Sequence, residues 1–129
     1  MEKQVTWFLR IWALGSSWAA LAQLGFQQLG AAGTHWGYTP RWQREIGFWN
    51  LGLILIILQA LFKGTYNAKL QITKALVLLS FLFGTNHFIE VLKGGAIYSH
   101  IGGATENYIA VIWGGILLIK ASKIEKEIK

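Results

Sequence analysis

The stretch IGFWNLGLILIILQALF, residues 46 to 62, decides how the rest of the chain is read. It holds no charged residue. Its length approaches the roughly 20 apolar residues that a helix needs to cross a bilayer. Working outward, three more runs have the same character: about Trp7 to Ala32, about Leu70 to Leu92 and about Ala104 to Ala121. The loop GTHWGYTPRWQRE separates the first two, with Gly33, Gly37 and Pro40 as breakers. KGTYNAK makes a tight turn before the third run, and KGGAIYSHIGG joins the third to the fourth. KASKIEKEIK is a charged helical extension at the surface. These runs predict an all-α fold: one domain, residues 1–129, forming an integral membrane four-helix bundle with helices at about 7–32, 46–62, 70–92 and 104–121.

Composition agrees. The 129 residues are 53% hydrophobic and only 14% charged, against roughly 25% charged in soluble domains. Mean hydropathy is +0.40. A small soluble domain has too little interior to hide that much apolar surface, so lipid is the expected solvent. With no Cys, disulfides, thiolate metal sites and thiol catalysis are excluded. The first run is expected to be a retained helix, because Arg10, Gln23, Gln27 and Gln28 interrupt the apolar region that a signal peptide needs.

The net charge is +6. The basic residues flank the apolar runs, which points to anionic lipid headgroups and away from nucleic acid. One side of the layer takes Lys3, Lys63, Lys69, Lys74, Lys120, Lys123, Lys126 and Lys129, with Arg10 just inside. The other takes Arg41, Arg44 and Lys93. That bias places both termini in the cytoplasm. Trp36, Tyr38, Trp42, Trp49, Tyr98 and Tyr108 then form an outer aromatic belt, and Trp7, Trp12 and Tyr66 an inner one.

Each run carries one small or polar stripe at helical spacing. On the first it is Ser16, Ala20, Gln23, Gln27 and Gly30; on the second, Glu45, Gly52 and Gln59. On the third it is Thr73, Ser80, Gly84 and His87, with Glu90 about 60° around. On the fourth it is Asn107, Ala110, Gly114 and Ala121. Small stripes let helices approach closely in lipid, and polar ones bond across the contact.

Polar residues gather toward the outer end. His87 lies about 9 Å below Lys93 at 1.5 Å per residue. An ionisable group at that depth costs several kcal/mol unless paired. The stripes nominate Glu45, Asn86, Asn107 and Gln27 as partners, and the outer loops hold His35 and His100. Three readings fit. In the first, Glu45, His87, Glu90, Asn107, Asn86, Asn50 and Trp49, supported by Arg44, bind a small amphipathic ligand such as a quinone or lipid. Trp36, Trp42, Trp49 and Phe88 supply its walls. In the second, the cluster only fixes helix packing in an accessory subunit. In the third, His87, Glu90, Glu45 and His100 hold a metal, His87 and Glu90 having the i, i+3 spacing of carboxylate bundles in reverse order. A proton route through Gln59, Ser80, Thr73 and Arg10 lacks a mid-depth carboxylate. Neither a Gly-x-Ser-x-Gly elbow nor a phosphate loop in strand–helix context is present.

LRIWALG at Leu9 to Gly15, REIGFWNLGLIL at Arg44 to Leu55 and the late GGILLIKA resemble the DoxX-like group of small four-helix bacterial and archaeal membrane proteins. A related group of uncharacterised small membrane proteins is similar in placing a glutamate at the start of the second helix, a Gly-x-x-His-like element late in the third and an Asn early in the fourth. Those positions here are Glu45, Gly84 with His87, and Asn107. The Gln-rich first helix and long Trp-rich first loop depart from the pattern. The resemblance implies four helices, Glu45 as a site residue, and a prokaryotic plasma membrane. It also implies a place in a redox complex that delivers electrons to quinone, with other membrane subunits or further copies of the chain as partners.

Overall fold

The computed structural model describes residues 1–32, 34, 36–94 and 98–128. They form five helices and no strand: α1 Glu2–Gly25, α2 Gln27–Ala32, α3 Pro40–Lys63, α4 Tyr66–Leu92 and α5 Tyr98–Ile128. Local signals set the ends. Pro40 opens α3, where its missing N–H costs nothing. The Thr65 hydroxyl caps α4 by accepting from the Ala68 N–H at 3.3 Å. Gly94, at φ 86°, follows Lys93 in turning the chain away from α4. Only Gly64 and Thr65 separate α3 from α4.

These bounds extend past the apolar runs, because a helix continues into water for as long as its capping allows. The first run is broken at Phe26 (φ −127°, ψ 43°) into α1 and the short α2. The fourth runs on through the charged tail to Ile128. His100, expected in a loop, stands in the first turn of α5. His35 lies outside the described residues.

α3, α4 and the Tyr98–Glu127 part of α5 are long and apolar enough to cross a membrane. α1 matches α3 in length and in overall apolar character, but Arg10, its serines and its glutamines leave it no stretch as continuously apolar as those. α1 lies antiparallel on α3, and α4 antiparallel on α5; the two pairs touch each other more thinly. The core sits toward the Met1 end. Val5, Phe8, Leu9, Ala13, Ile57, Ala60, Leu76 and Leu117 pack there, with Phe8 edge-on to Trp113 at 5.2 Å. Lys69 donates to Glu2 at 2.8 Å and ties α4 to α1 at that end. Outside, the surface is apolar: Leu14, Trp18, Trp49, Phe62 and Ile112 are all more than half exposed. Lipid is the solvent that such a surface suits.

Candidate functional site

At the end away from Met1, α4 and α5 bring two imidazoles together. His87 sits five residues before the end of α4, and His100 in the first turn of α5. Their Nδ1 atoms are 3.1 Å apart. The ring centroids are 5.4 Å apart, which exceeds the nitrogen separation by about two ring radii, so the rings meet nearly head-on along the N–H direction. That is a straight N–H···N bond. One Nδ1 carries the hydrogen and the other the lone pair, so the two rings hold complementary tautomers.

Trp36, from the connection between α2 and α3, covers both rings. Its centroid lies 5.1 Å from His87 and 4.8 Å, edge-on, from His100. His100 is fully buried and His87 half-buried. Gly103 makes room for His87: a Cβ there would stand 2.7 Å from Nε2 and 2.8 Å from two ring carbons. One turn along, the Thr85 and Tyr108 hydroxyls approach to 3.4 Å, and Phe88 meets Tyr108 edge-on at 6.4 Å.

The other residues expected at this site lie elsewhere or bond elsewhere. Glu90, three residues from His87, accepts from Lys93 at 3.0 Å. Asn107 donates to the Gly103 carbonyl of its own helix at 2.8 Å, and its Cβ packs near Gly84. Asn50 likewise donates to the Ile46 carbonyl at 3.0 Å. Asn86 and Arg44 are exposed. Glu45 and Trp49 are exposed on α3, where they border a shallow depression of about 420 Å³ with Phe48, Gly52, Leu53 and Ile56. α3 pairs with α1 and not with the His87 helix, so Glu45 is presented to the surroundings and not to the imidazoles. Among the described residues no three His, Asp or Glu side chains gather as a metal site would require.

The His87–His100 pairing had one sequence signal. The two lie six residues on either side of the Lys93–Gly94 turn, which is the register of a tight antiparallel hairpin. Chemically, the pair offers a hydrogen-bond donor and an acceptor in an apolar setting, under an aromatic cover, with His87 reachable from outside. Compared with known proteins, the chain matches no family model, no curated protein and no solved structure.

Proposed function

We propose that this is a four-helix integral membrane protein, both termini cytoplasmic, that binds the polar end of a small amphipathic or quinone-like molecule at its outer end, on His87 beneath Trp36. The carrying observation is the head-on imidazole pair under an indole. A neutral imidazole is amphoteric, so it can meet either a carbonyl or a hydroxyl of the bound head. An aromatic cover and a half-buried polar group are the usual make-up of a pocket for such ligands.

The fourth span rests on packing. α1 runs along α3, with Val5 and Ala60 in one apolar cluster and Leu24 against Gly47, which supports α1 crossing the same layer as α3. The excess of lysines around Lys3, Lys63, Lys74 and Lys120 supports the cytoplasmic assignment of that end. The DoxX-like resemblance favours a place in a prokaryotic redox complex.

The test is purification in mild detergent and mass spectrometry of whatever stays bound. The wild type should retain one small molecule per chain, and His87→Ala should lose it while keeping the wild-type helical content by circular dichroism, although it melts lower because the imidazole bond and the indole contact are gone. A wild type that carries only bulk lipid would overturn the ligand reading. It would leave the second one, in which the imidazole bond simply braces α4 on α5 as part of an accessory subunit. That reading is favoured by the complete burial of His100 within the pair.

A further inference from the structure

The buried residues change character with depth. Toward the Met1 end they are mainly large and apolar, with Phe8, Leu9, Ile57, Leu76 and Leu117 among them. Toward the His87 end no buried described residue is a Leu, Ile, Val, Phe, Met or Trp. Ser16, Ser80, Gln43 and His100 are buried there, with small residues such as Ala20 and Gly84 between them.

Among the described residues, three of those polar groups find no hydrogen-bond partner. Ser16 Oγ, Ser80 Oγ and Gln43 Oε1 make no hydrogen bond, although the residues are only 3%, 0% and 6% exposed. The Gln43 amide is oriented unambiguously, because its nitrogen donates to the Gln27 carbonyl at 2.8 Å and leaves the oxygen free to accept. The serines are informative by contrast with their neighbours. Ser17 and Thr73 bond back to carbonyls four residues earlier, at 2.7 and 2.9 Å. Ser16 and Ser80 do not take that local bond. α1 and α4 run in the same direction, with Glu2 beside Lys69. The two serines therefore stand at similar depth, roughly 17 to 21 Å along their helices from that ion pair. Gln23 Oε1, two turns beyond Ser16 on α1, is unpartnered as well; Trp12 Nε1, whose ring packs on the apolar core, and Tyr66 OH, at the far end, are unpartnered outside that half.

A buried polar group in a membrane protein is satisfied by protein or by water. We propose that the half of the interior nearer His87 is a hydrated, one-sided vestibule. It admits water and small uncharged hydrogen-bonding solutes as far as Ser16 and Ser80, and the apolar packing of Phe8, Trp113 and Leu76 closes it. Among the described residues in that half the one largely buried carboxylate, Glu90, is neutralised by Lys93, and buried Lys69 pairs with Glu2 at the opposite end, so the lining suits uncharged solutes. The vestibule needs no ligand on His87, so the two readings fail separately.

The chain has no Cys, which makes single-cysteine variants clean reporters. Ser16→Cys, Ser80→Cys, Thr73→Cys, Leu76→Cys and the outward-facing Leu78→Cys would be reconstituted in liposomes and treated with methyl methanethiosulfonate. This reagent is small and uncharged, and it reacts only with a thiolate, which forms where water reaches. Positions 16 and 80 should react at least about tenfold faster than 76, 73 and 78. Rates at 16 and 80 no faster than at 76 would overturn the vestibule. A rate at 73 equal to that at 80 would overturn its one-sidedness. Hydroxyl-radical footprinting of the unmodified chain reads the same depth profile without any substitution, and protection of residues 16 and 80 would count equally against it.

Discussion

The adjacent glycines Gly102 and Gly103 offer a matched pair for testing the imidazole site. Both stand in α5, and replacing either with Ala should gain up to about 1 kcal/mol of helix propensity. At Gly102 the new Cβ meets nothing within 4 Å. At Gly103 it would press on the His87 ring at 2.7 to 2.8 Å, a distance only relieved by turning the imidazole away. That movement breaks the Nδ1–Nδ1 bond, with a net loss of about 1 kcal/mol. It also slides the ring from under Trp36, costing roughly another 1 kcal/mol. Gly103→Ala should therefore be about 1 kcal/mol less stable than wild type, and about 2 kcal/mol less stable than Gly102→Ala. Unfolding in mixed micelles of rising dodecyl sulfate fraction, followed by far-UV circular dichroism, reads the difference. The origin is checked in a His87→Ala background, where the clash is gone and Gly103→Ala should become neutral or stabilising. If the two alanines are equally stable, or if the Gly103 cost survives without His87, the packing of His87 against α5 is not as described.

Three further outcomes follow from the same contacts. Lys69 is buried while the Glu2 side chain is 57% exposed, so Glu2→Gln strands a buried ammonium and should lower the melting temperature in detergent. Lys69→Met, which leaves only a solvent-reachable carboxylate, should cost less, with a difference of about 1 kcal/mol. Phe8→Ala opens a hole beside Trp113 and should cost about 3 kcal/mol or more, whereas Leu14→Ala, on the outer face, should stay within about 0.5 kcal/mol by the same melt. Glu45→Gln should leave any co-purifying small molecule in place when His87→Ala removes it; loss in both variants would extend the site to the α3 face.

The helices were legible because hydropathy reports where lipid must be. Their ends were not, because capping reports where the chain must turn, and the two differ by several residues at Pro40, Tyr66 and Tyr98. The polar end was legible from His87, but its partners were not. A stripe says which face of a helix is special without saying which helix lies against it. Glu45 and His87 lie at the same end of the bundle, yet α3 takes α1 as its neighbour and α4 takes α5. The face of α3 that carries Glu45 and Trp49 is left pointing outward. Hairpin register about Lys93–Gly94 is stronger evidence than stripe matching, because a short turn fixes which residues oppose each other.

The same contacts separate polar residues that inform about function from those that do not. In an apolar medium each polar side chain must find a partner, and the nearest is the carbonyl one turn back on its own helix. Asn50, Asn107, Ser17, Thr73 and Thr85 all take it. Being satisfied locally, they need no ligand, and of the five Thr85 also reaches a neighbouring helix, its hydroxyl standing 3.4 Å from that of Tyr108. Toward the His87 end the residues that do not take it are His87, which bonds His100 across the hairpin, Gln43, which ties α3 to α2, and Ser16 and Ser80, whose hydroxyls find no hydrogen-bond partner among the described residues; toward the Met1 end Lys69, bonded to Glu2, and Tyr66 do not take it either. His87, Gln43, Ser16 and Ser80 lie on three helices in the same half of the molecule. With Lys69 neutralised by Glu2, the unused hydrogen-bonding capacity of the buried serines and Gln43 is concentrated at the His87 end of the helices, which is why the proposed ligand and the proposed vestibule are both placed there.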